Sequence, residues 1–201
     1  MIDPPAHDVD AARAAALRFA TLAQPDVAYT IAELPIGRVV LARTAQGLVR
    51  IAYADLNGTV DAIVEQLADR LSPRILEQPA RFDDVRTELE EYFAGKRQQF
   101  SITLDWSLIR GRFGAAVLRA TAAIPYGSVS TYGVVAAEAG NIAASRATGN
   151  ALGNNPIPIV IPCHRVLRSG GGLGGYTGGL ERKQALLELE GALSGGQLSL
   201  A

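Results

Sequence analysis

A proline-interrupted apolar stretch, residues 156–161 with the sequence PIPIVI, runs almost directly into the only cysteine of this 201-residue chain. Pro158 and Pro162 each lack a backbone N–H and have a fixed φ, so the stretch is unsuited to an ordinary central strand or helix. We therefore expect a stiff, irregular segment that holds Cys163 in place. A lone cysteine is most often a small buried apolar residue, but the histidine and arginine that follow this one favour a reactive thiolate.

The composition predicts a soluble globular protein. With 48% hydrophobic residues the chain can bury a proper core, yet no stretch is long and apolar enough to cross a membrane. Acidic residues stand near the start, where a signal peptide would be basic. We therefore expect residence in the cytoplasm, where reducing conditions keep a thiol free. One cysteine and two histidines cannot form a disulfide or a Cys/His zinc cluster, so we expect no metal and no cofactor.

The net charge of −1 hides a cationic segment. Between Trp106 and Leu180 the only acidic residue is Glu138, and every basic residue there is an arginine: Arg110, Arg112, Arg119, Arg146, Arg165 and Arg168. Arginine suits bidentate and stacked contacts with phosphates and bases better than lysine does. The pattern favours nucleic acid as a partner, although solvated arginines on helix surfaces are an equally good interpretation of composition alone.

Residues 1–100 are expected to form an α/β domain without visible catalytic residues. After an alanine-rich opening with a short helix over residues 11–22, three extended runs separated by turn signals predict a small antiparallel meander: 27–33, 37–43 and 48–53. Thr59 is positioned to cap an amphipathic helix that reaches Leu71. A second helix is predicted over residues 85–93 and ends at Gly95.

Residues 101–201 form the second predicted domain, which is mostly helical. Helices are expected over residues 113–124, from Ser130 or Thr131 to about residue 140, and over 143–152. Two short helices joined by a glycine-containing turn are typical of a helix-turn-helix, although most such pairs bind nothing. In the second helix Arg146 is the single large residue among small ones, so it could reach into a DNA groove.

The second domain resembles a known family through several separated motifs. The sequence IPCHRV at residues 161–166 is preceded and followed, in the family's order, by PYGSVSTY (125–132), SRATGNA (145–151), NNPIP (154–158), GGYTGGL (174–180) and KQALLELEG (183–191). In these motifs the chain resembles the O6-alkylguanine-DNA alkyltransferases, also called methylated-DNA-protein-cysteine methyltransferases. The first domain is similar to theirs only in size and element order. The resemblance implies a ribonuclease H-like α/β domain followed by a mostly α domain with a winged-helix-like helix-turn-helix.

The resemblance also implies catalytic roles. Cys163 corresponds to the cysteine that accepts the alkyl group, His164 to the histidine that takes its proton through a bridging water, and Glu190 to the carboxylate that holds this histidine. Tyr132 matches the tyrosine that hydrogen-bonds the flipped guanine and supports the leaving base. Arg146 matches the finger that fills the space the base vacates. A free thiol has a pKa of about 8.5, so we expect the histidine and carboxylate to lower it.

Further positions match the family's binding and supporting residues. The carbonyls of Cys163 and Val166 would accept from the guanine amine, and Tyr176 and Thr177 belong to the loop that closes the pocket. Asn155 and Arg165 would support the structure. The remaining contacts to DNA are expected from Thr131, Ala147 and Gly149.

The implied function is direct-reversal DNA repair. The alkyl group of O6-alkylguanine, and of O4-alkylthymine, would move from double-stranded DNA to Cys163, after base flipping from a protein bound in the minor groove. A thioether has no good leaving group, so each molecule would react once. We expect a monomer without membrane association and leave cooperative assembly on DNA open.

Three alternatives remain at this point. A non-catalytic relative that binds alkylated bases and flags them for another repair pathway has the same fold, but carries tryptophan at the position of Cys163. A cysteine hydrolase would need a histidine placed by the fold, and the only one besides His164 is His7 near the start. A helix-turn-helix regulator would need neither Cys163 nor Glu190. Leu118 and Asn150 depart from the family pattern, which leaves the preferred duplex context open.

Overall fold

The computed structural model describes residues 24–194 and 197–198. Three strands open this part of the chain: β1 (Val27–Leu34), β2 (Gly37–Thr44) and β3 (Gly47–Tyr53). Each pairs antiparallel with the next, which confirms the predicted meander. The helix predicted over residues 11–22 lies outside the described residues.

A fourth strand makes the sheet mixed rather than antiparallel. Strand β4 (Ile75–Glu77) lies parallel to β1, so the strand order is β3-β2-β1-β4. With three residues this strand is too short to show an alternating pattern, and the sequence prediction missed it. Helix α1 (Val60–Arg70) precedes it, capped as predicted by Thr59, whose Oγ1 accepts from the Ala62 N–H at 3.2 Å.

Helix α2 and the second domain cover the other face of the sheet. A 3₁₀ turn (Pro79–Phe82) leads into α2 (Asp83–Phe93), and α1 packs on the opposite face, where Ile63 and Leu67 meet alternate residues of β2. The core on the α2 side is continuous with the second domain. It joins side chains such as Leu41 and Tyr53 of the sheet to Cys163, Ile157 and Leu186.

Backbone hydrogen bonds along the outer edge of β3 tie the two halves of the chain together. The Leu48 N–H donates to the Thr103 carbonyl at 2.9 Å, and the Ile51 N–H donates to the Pro156 carbonyl at 2.8 Å. Gly47 has a φ of 142°, and a Cβ there would lie 2.3 Å from the Thr103 carbonyl oxygen. The connecting segment can therefore pass this closely only because residue 47 is glycine.

The second domain is mostly helical, as expected. It contains α3 (Arg112–Ala122), α4 (Tyr132–Glu138), α5 (Ser145–Gly153) and α6 (Leu180–Leu189). Helices α4 and α5 pack on each other and on α3, in the manner of a helix-turn-helix, and both end close to their predicted limits. Thr131 caps α4, since its Oγ1 accepts from the Val134 N–H at 3.3 Å.

Short strands complete the second domain and went unpredicted. Strand β5 (Ser130–Thr131) pairs in parallel with β6 (Val166–Leu167), and β7 (Leu193–Ser194) pairs antiparallel with β8 (Gln197–Leu198). The β5–β6 pair joins the start of the helix-turn-helix to the chain just after Cys163. Among the described residues, no helix has the length and apolar character needed to cross a bilayer.

Candidate active site

The segment before Cys163 is irregular, as its prolines predict. Residues 156–162 form a series of turns, in which the Ile161 N–H donates to the Ile157 carbonyl at 2.9 Å. Ile159 has a φ of 75°, which is unfavourable for a β-branched residue, and its fully buried side chain packs in the core. Core packing thus holds this turn in shape and places the 3₁₀ turn Cys163–Arg165 that follows it.

Asn155 fixes the position of the Cys163 sulfur. Its Nδ2 donates both to Cys163 Sγ, at 3.1 Å, and to the Ile161 carbonyl, at 2.8 Å, while its Oδ1 accepts from the Ile157 N–H. All polar groups of the Asn155 side chain are therefore used to connect the cysteine turn to the segment before it. This arrangement fits the supporting position expected for Asn155.

The thiol of Cys163 is protonated at neutral pH in this structure. Burial raises its pKa to about 11, against smaller lowering effects from the Asn155 hydrogen bond and the charge of Lys183. The expectation of a lowered thiol pKa is therefore wrong for the free protein. The physical reason is that no side chain of His164 or Arg165 contacts Sγ, since both turn toward Glu190.

Glu190 is the centre of a buried hydrogen-bonded cluster. His164 Nε2 lies 2.9 Å from Glu190 Oε1, and the Arg165 guanidinium donates from Nε to Oε2 and from Nη2 to Oε1, each at 2.8 Å. Tyr92 adds a fourth hydrogen bond, from its hydroxyl to Oε1 at 2.6 Å. Burial would raise the pKa of Glu190, but the hydrogen bonds from His164 and Arg165 outweigh it and lower the pKa to about 2.

These contacts decide which nitrogen of His164 can act as a base. Because Glu190 is an ionised carboxylate and can only accept, Nε2 of His164 must carry the proton. Burial lowers the pKa of His164, against the raising effect of Glu190, so the ring is neutral at physiological pH and Nδ1 has a free lone pair. Nδ1 is buried and has no hydrogen-bond partner among the described residues.

The first domain contributes to this cluster, which the sequence did not predict. Tyr92 lies on α2, ninety-eight positions before Glu190, and is fully buried. With Val85 and Leu89 it forms the buried stripe of α2, so its spacing indicates only a core position. The sequence carries no signal that distinguishes it from a core aromatic residue.

A cavity of about 210 Å³ opens beside Cys163. Five of the predicted site residues line it, namely Cys163, Tyr132, Gly149, Tyr176 and Thr177, together with Leu152, Gly153 and Gly175. We call this the cysteine pocket. The neighbouring Gly174, at a φ of 68°, passes so close to Tyr132 that a Cβ would lie 2.7 Å from the tyrosine hydroxyl.

The other predicted residues lie around the cysteine pocket rather than in its wall. His164, Glu190 and Arg165 are buried in the cluster described above, and Val166 follows it, fully buried. The exposed Arg146 and Ala147 stand on the first turn of α5, and Thr131 caps α4. The Cys163 carbonyl accepts from the Val166 N–H, and the Val166 carbonyl accepts from Lys183 Nζ at 2.6 Å. Each carbonyl keeps a second lone pair.

Lys183 connects the cysteine turn to the glycine-rich loop. Its fully buried side chain donates from Nζ to three carbonyls, those of Val166, Leu173 and Gly175. Burial lowers the pKa of Lys183 to about 8, against a raising effect of Cys163. The sequence motif contains this lysine, but only the structure shows that it holds one wall of the cysteine pocket.

A second contact reaches the cysteine pocket from the first domain. The hydroxyls of Tyr53, at the end of β3, and Tyr176 lie 2.9 Å apart. The Arg182 guanidinium lies over the Tyr53 ring, 4.7 Å from its centroid, and donates to Asp55 Oδ2 at 2.6 Å. The position of Tyr176 therefore depends on both domains.

Fold and site together define a class: a two-domain protein in which a helix-turn-helix domain carries a buried cysteine, followed by a histidine that is hydrogen-bonded to a buried glutamate. Two family models match the chain. Residues 27–106 match the ribonuclease-like domain of 6-O-methylguanine DNA methyltransferase, and residues 112–192 match its DNA binding domain. The chain belongs to the 6-O-methylguanine DNA methyltransferase family.

Individual relatives agree with this family assignment. The chain is 43% identical over 155 residues to a methylated-DNA–protein-cysteine methyltransferase of Mycolicibacterium paratuberculosis, which covers 77% of this chain and 92% of the relative. The crystal structure of Mycobacterium tuberculosis O6-methylguanine methyltransferase superposes with a TM-score of 0.70 at 35% identity, over 85% of this chain and 96% of that one. A complex of Mycobacterium tuberculosis OGT with DNA gives a TM-score of 0.70 at 36% identity, covering 82% and 93%.

Proposed function

We propose that this chain repairs O6-alkylguanine in duplex DNA by transferring the alkyl group to its own Cys163. The observation that carries the proposal is that Cys163, the only cysteine, lines the cysteine pocket together with residues of α5 in the helix-turn-helix. The next residue, His164, is hydrogen-bonded to Glu190. The volume of about 210 Å³ lies below the range of about 300–1,000 Å³ typical of sites for drug-sized ligands. A pocket of this size suits a single flipped base.

The transfer is a nucleophilic substitution. Cys163 Sγ attacks the alkyl carbon, the S–C bond forms as the C–O6 bond breaks, and O6 keeps the electron pair of the broken bond. The thiol proton passes through a bridging water to Nδ1 of His164, while Glu190 holds Nε2–H and stabilises the imidazolium that results. Because the pKa of Cys163 is raised, this proton transfer must accompany the attack.

The departing guanine needs hydrogen bonds to its developing negative charge. Tyr132 lines the cysteine pocket and supplies one from its hydroxyl. The free lone pairs on the carbonyls of Cys163 and Val166 accept from the guanine amine. Tyr176 and Thr177 close the pocket, and the Thr177 hydroxyl donates to the Gly153 carbonyl at 3.1 Å, which joins this loop to α5.

Helix α5 binds in the minor groove of the duplex. Its small residues, including Ala147 and Gly149, allow close approach to the backbone, and Thr131 contacts DNA from the cap of α4. Exposed Arg146 fills the space left by the flipped base and offsets part of the flipping cost of a few kcal/mol. Asn155 and Arg165 hold the cysteine turn against this helix-turn-helix.

Several further features follow from this mechanism. The thioether on Cys163 has no good leaving group, so each molecule reacts once. We propose that the protein acts as a monomer and without a cofactor. O4-alkylthymine presents the same alkyl–oxygen bond and is a second substrate. We propose that the protein acts in the cytoplasm, where reducing conditions keep a nucleophilic thiol free. Independently of the mechanism, we propose that the boundary between the two domains lies near residue 100, where the composition of the chain changes.

Intact mass spectrometry tests the proposal. After incubation with duplex DNA containing O6-methylguanine, we expect a gain of one CH₂ equivalent on Cys163 that saturates at one per molecule. Cys163→Ala is the matched control and should gain nothing. Retained binding without any mass gain in the unmodified chain would overturn transfer and favour a non-catalytic protein that binds alkylated bases.

A separate experiment tests the finger role of Arg146. We expect Arg146→Ala to slow transfer from duplex DNA far more than transfer from free O6-benzylguanine, which needs no flipping. Arg38→Ala removes an exposed arginine from β2, distant in the fold from α5, and serves as control. Equal slowing with both substrates would exclude a finger.

A further inference from the structure

A second, larger cavity lies between the two domains. Its volume is about 570 Å³, and its walls come from β3, α1, the segment before α3, and α5. Three arginines line it: Arg50 on β3, Arg70 on α1 and Arg110 before α3. We call this cavity the arginine groove.

The arginine groove carries positive charge without a counter-charge. No aspartate or glutamate lines it, and the side chains of its three arginines make no hydrogen bond or salt bridge to any described residue. Several other arginines of the first domain are paired with carboxylates, as in Arg43 with Asp84 and Arg97 with Glu91. The three arginines of the groove differ from these in lacking a carboxylate partner among the described residues.

Two of these like charges lie near each other, the partly buried Arg50 and the exposed Arg70. Burial and the nearby charge of Arg70 both lower the pKa of Arg50. An anion between the two guanidinium groups would remove this repulsion and accept hydrogen bonds from both. The chemistry of the groove therefore suits a phosphate.

The arginine groove adjoins the cysteine pocket. Gly153 and Thr177 line both cavities, and the groove runs along α5, where Ala147 and Asn150 form part of its wall. A DNA strand that placed one nucleotide in the cysteine pocket would have its neighbouring phosphates at this edge of α5. The position, as well as the charge, favours the DNA backbone over a free anion.

We propose that the arginine groove binds phosphodiesters of the DNA strand that carries the flipped nucleotide, through Arg50, Arg70 and Arg110. This inference rests on the proposed function and extends DNA binding from the helix-turn-helix to the first domain. The contacts are independent of base sequence, because phosphates position a strand and do not specify it.

The salt dependence of DNA binding measures these contacts directly. For Arg50→Gln combined with Arg70→Gln, we expect the slope of log K against log salt to become less steep by about 1 to 2, since each lost phosphate contact contributes roughly 0.7–0.9. Affinity for duplex DNA at physiological salt should fall about tenfold. The ratio of the transfer rate on duplex DNA to that on free O6-benzylguanine should fall with it.

Control variants distinguish the loss of groove contacts from a loss of folding and from a failure of the proposed function. Arg38→Gln removes an exposed arginine outside the groove and should keep the wild-type slope. If the double variant unfolds, Arg70→Gln alone, at an exposed position of α1, should still reduce the slope by about 1.

An unchanged slope and affinity in folded variants would overturn the groove as a DNA site. The same conclusion would follow if inorganic phosphate stabilised the wild type, but not the variant, while their DNA affinities stayed equal. Failure of the wild type to transfer any alkyl group would instead refute the proposed function. That outcome would be detected with the wild type alone, so it is distinguishable from a failure of the groove.

Discussion

Glu190→Gln is the sharpest test of the buried cluster behind Cys163. The Glu190 carboxylate accepts four short hydrogen bonds, two from Arg165 and one each from His164 and Tyr92. Glutamine is almost the same size, but it carries no charge and replaces one acceptor oxygen with a donor NH₂. The substitution therefore removes the charge with little change in packing.

The structure determines how much folding stability Glu190→Gln is expected to lose. Arg165 is only 6% exposed, so its guanidinium would stay buried without its counter-ion. Removing one partner of a buried ion pair costs about 3–5 kcal/mol. The pKa of Glu190 gives a second value: a fall from 4.5 to about 2 corresponds to about 3 kcal/mol of stabilisation. Both routes predict a fall in Tm of about 6–20 °C for a chain of this length.

The same pKa determines how the effect depends on pH. The folded-state pKa of Glu190 lies below the unfolded value, so its stabilisation is complete above about pH 4.5 and is lost as the pH falls toward about 2. The difference in stability between the wild type and Glu190→Gln should therefore be large at neutral pH and shrink in acid.

Urea unfolding of both proteins across this pH range checks the reasoning. The control Glu188→Gln lies at an exposed position of α6, two residues before Glu190, and should change stability by less than about 0.5 kcal/mol. The transfer rate should also fall in Glu190→Gln, because a neutral amide stabilises the imidazolium form of His164 less than the carboxylate does. A loss below about 1 kcal/mol, or one that is the same at every pH, would refute an ionised Glu190 at the centre of the cluster.

Three more predictions follow from local geometry. Tyr53→Phe removes the hydrogen bond to Tyr176 and should slow single-turnover transfer from both duplex DNA and free O6-benzylguanine; an unchanged rate would exclude Tyr53 as a positioning residue. Iodoacetamide should modify Cys163 slowly at pH 7 and faster as the pH rises toward about 11, and a plateau below pH 8 would contradict a raised thiol pKa. Gly47→Ala should destabilise the protein by more than about 1 kcal/mol in urea unfolding, because its Cβ would meet the Thr103 carbonyl; wild-type stability would contradict this close packing.

Local patterns predicted most of the fold. The meander, α1 and the helix-turn-helix follow from alternation, helical periodicity and caps such as Thr59, all of which lie within a few residues of each other. Strand β4 was missed because three residues, Ile75–Glu77, cannot display a period. Its parallel pairing with β1 depends on tertiary contacts that no local pattern records.

In the site, too, the sequence predicted features close to Cys163 along the chain and missed contacts from distant positions. The proline-interrupted turn and the cysteine with its neighbouring histidine are visible in the sequence. The roles of Glu190 and Tyr132 were expected only from family resemblance, because their distance from Cys163 along the chain carries no signal. Tyr92 and Lys183 were missed altogether, since a buried tyrosine looks like core and a lysine looks exposed until the fold surrounds it.

Burial of Cys163 suits the single reaction that the proposed mechanism assigns to it. At pH 7 a thiol with a pKa of about 11 is ionised in only about one molecule in ten thousand, so stray electrophiles and oxidants meet an unreactive group. A preformed thiolate would react with the first electrophile that reached it, and the molecule could then no longer accept an alkyl group. The base of the proposed mechanism is nevertheless in place, because Glu190 keeps the proton of His164 on Nε2 and leaves Nδ1 free. Reactivity then depends on a substrate that fills the cysteine pocket and completes the proton path, so selectivity resides in the pocket rather than in the acidity of the thiol.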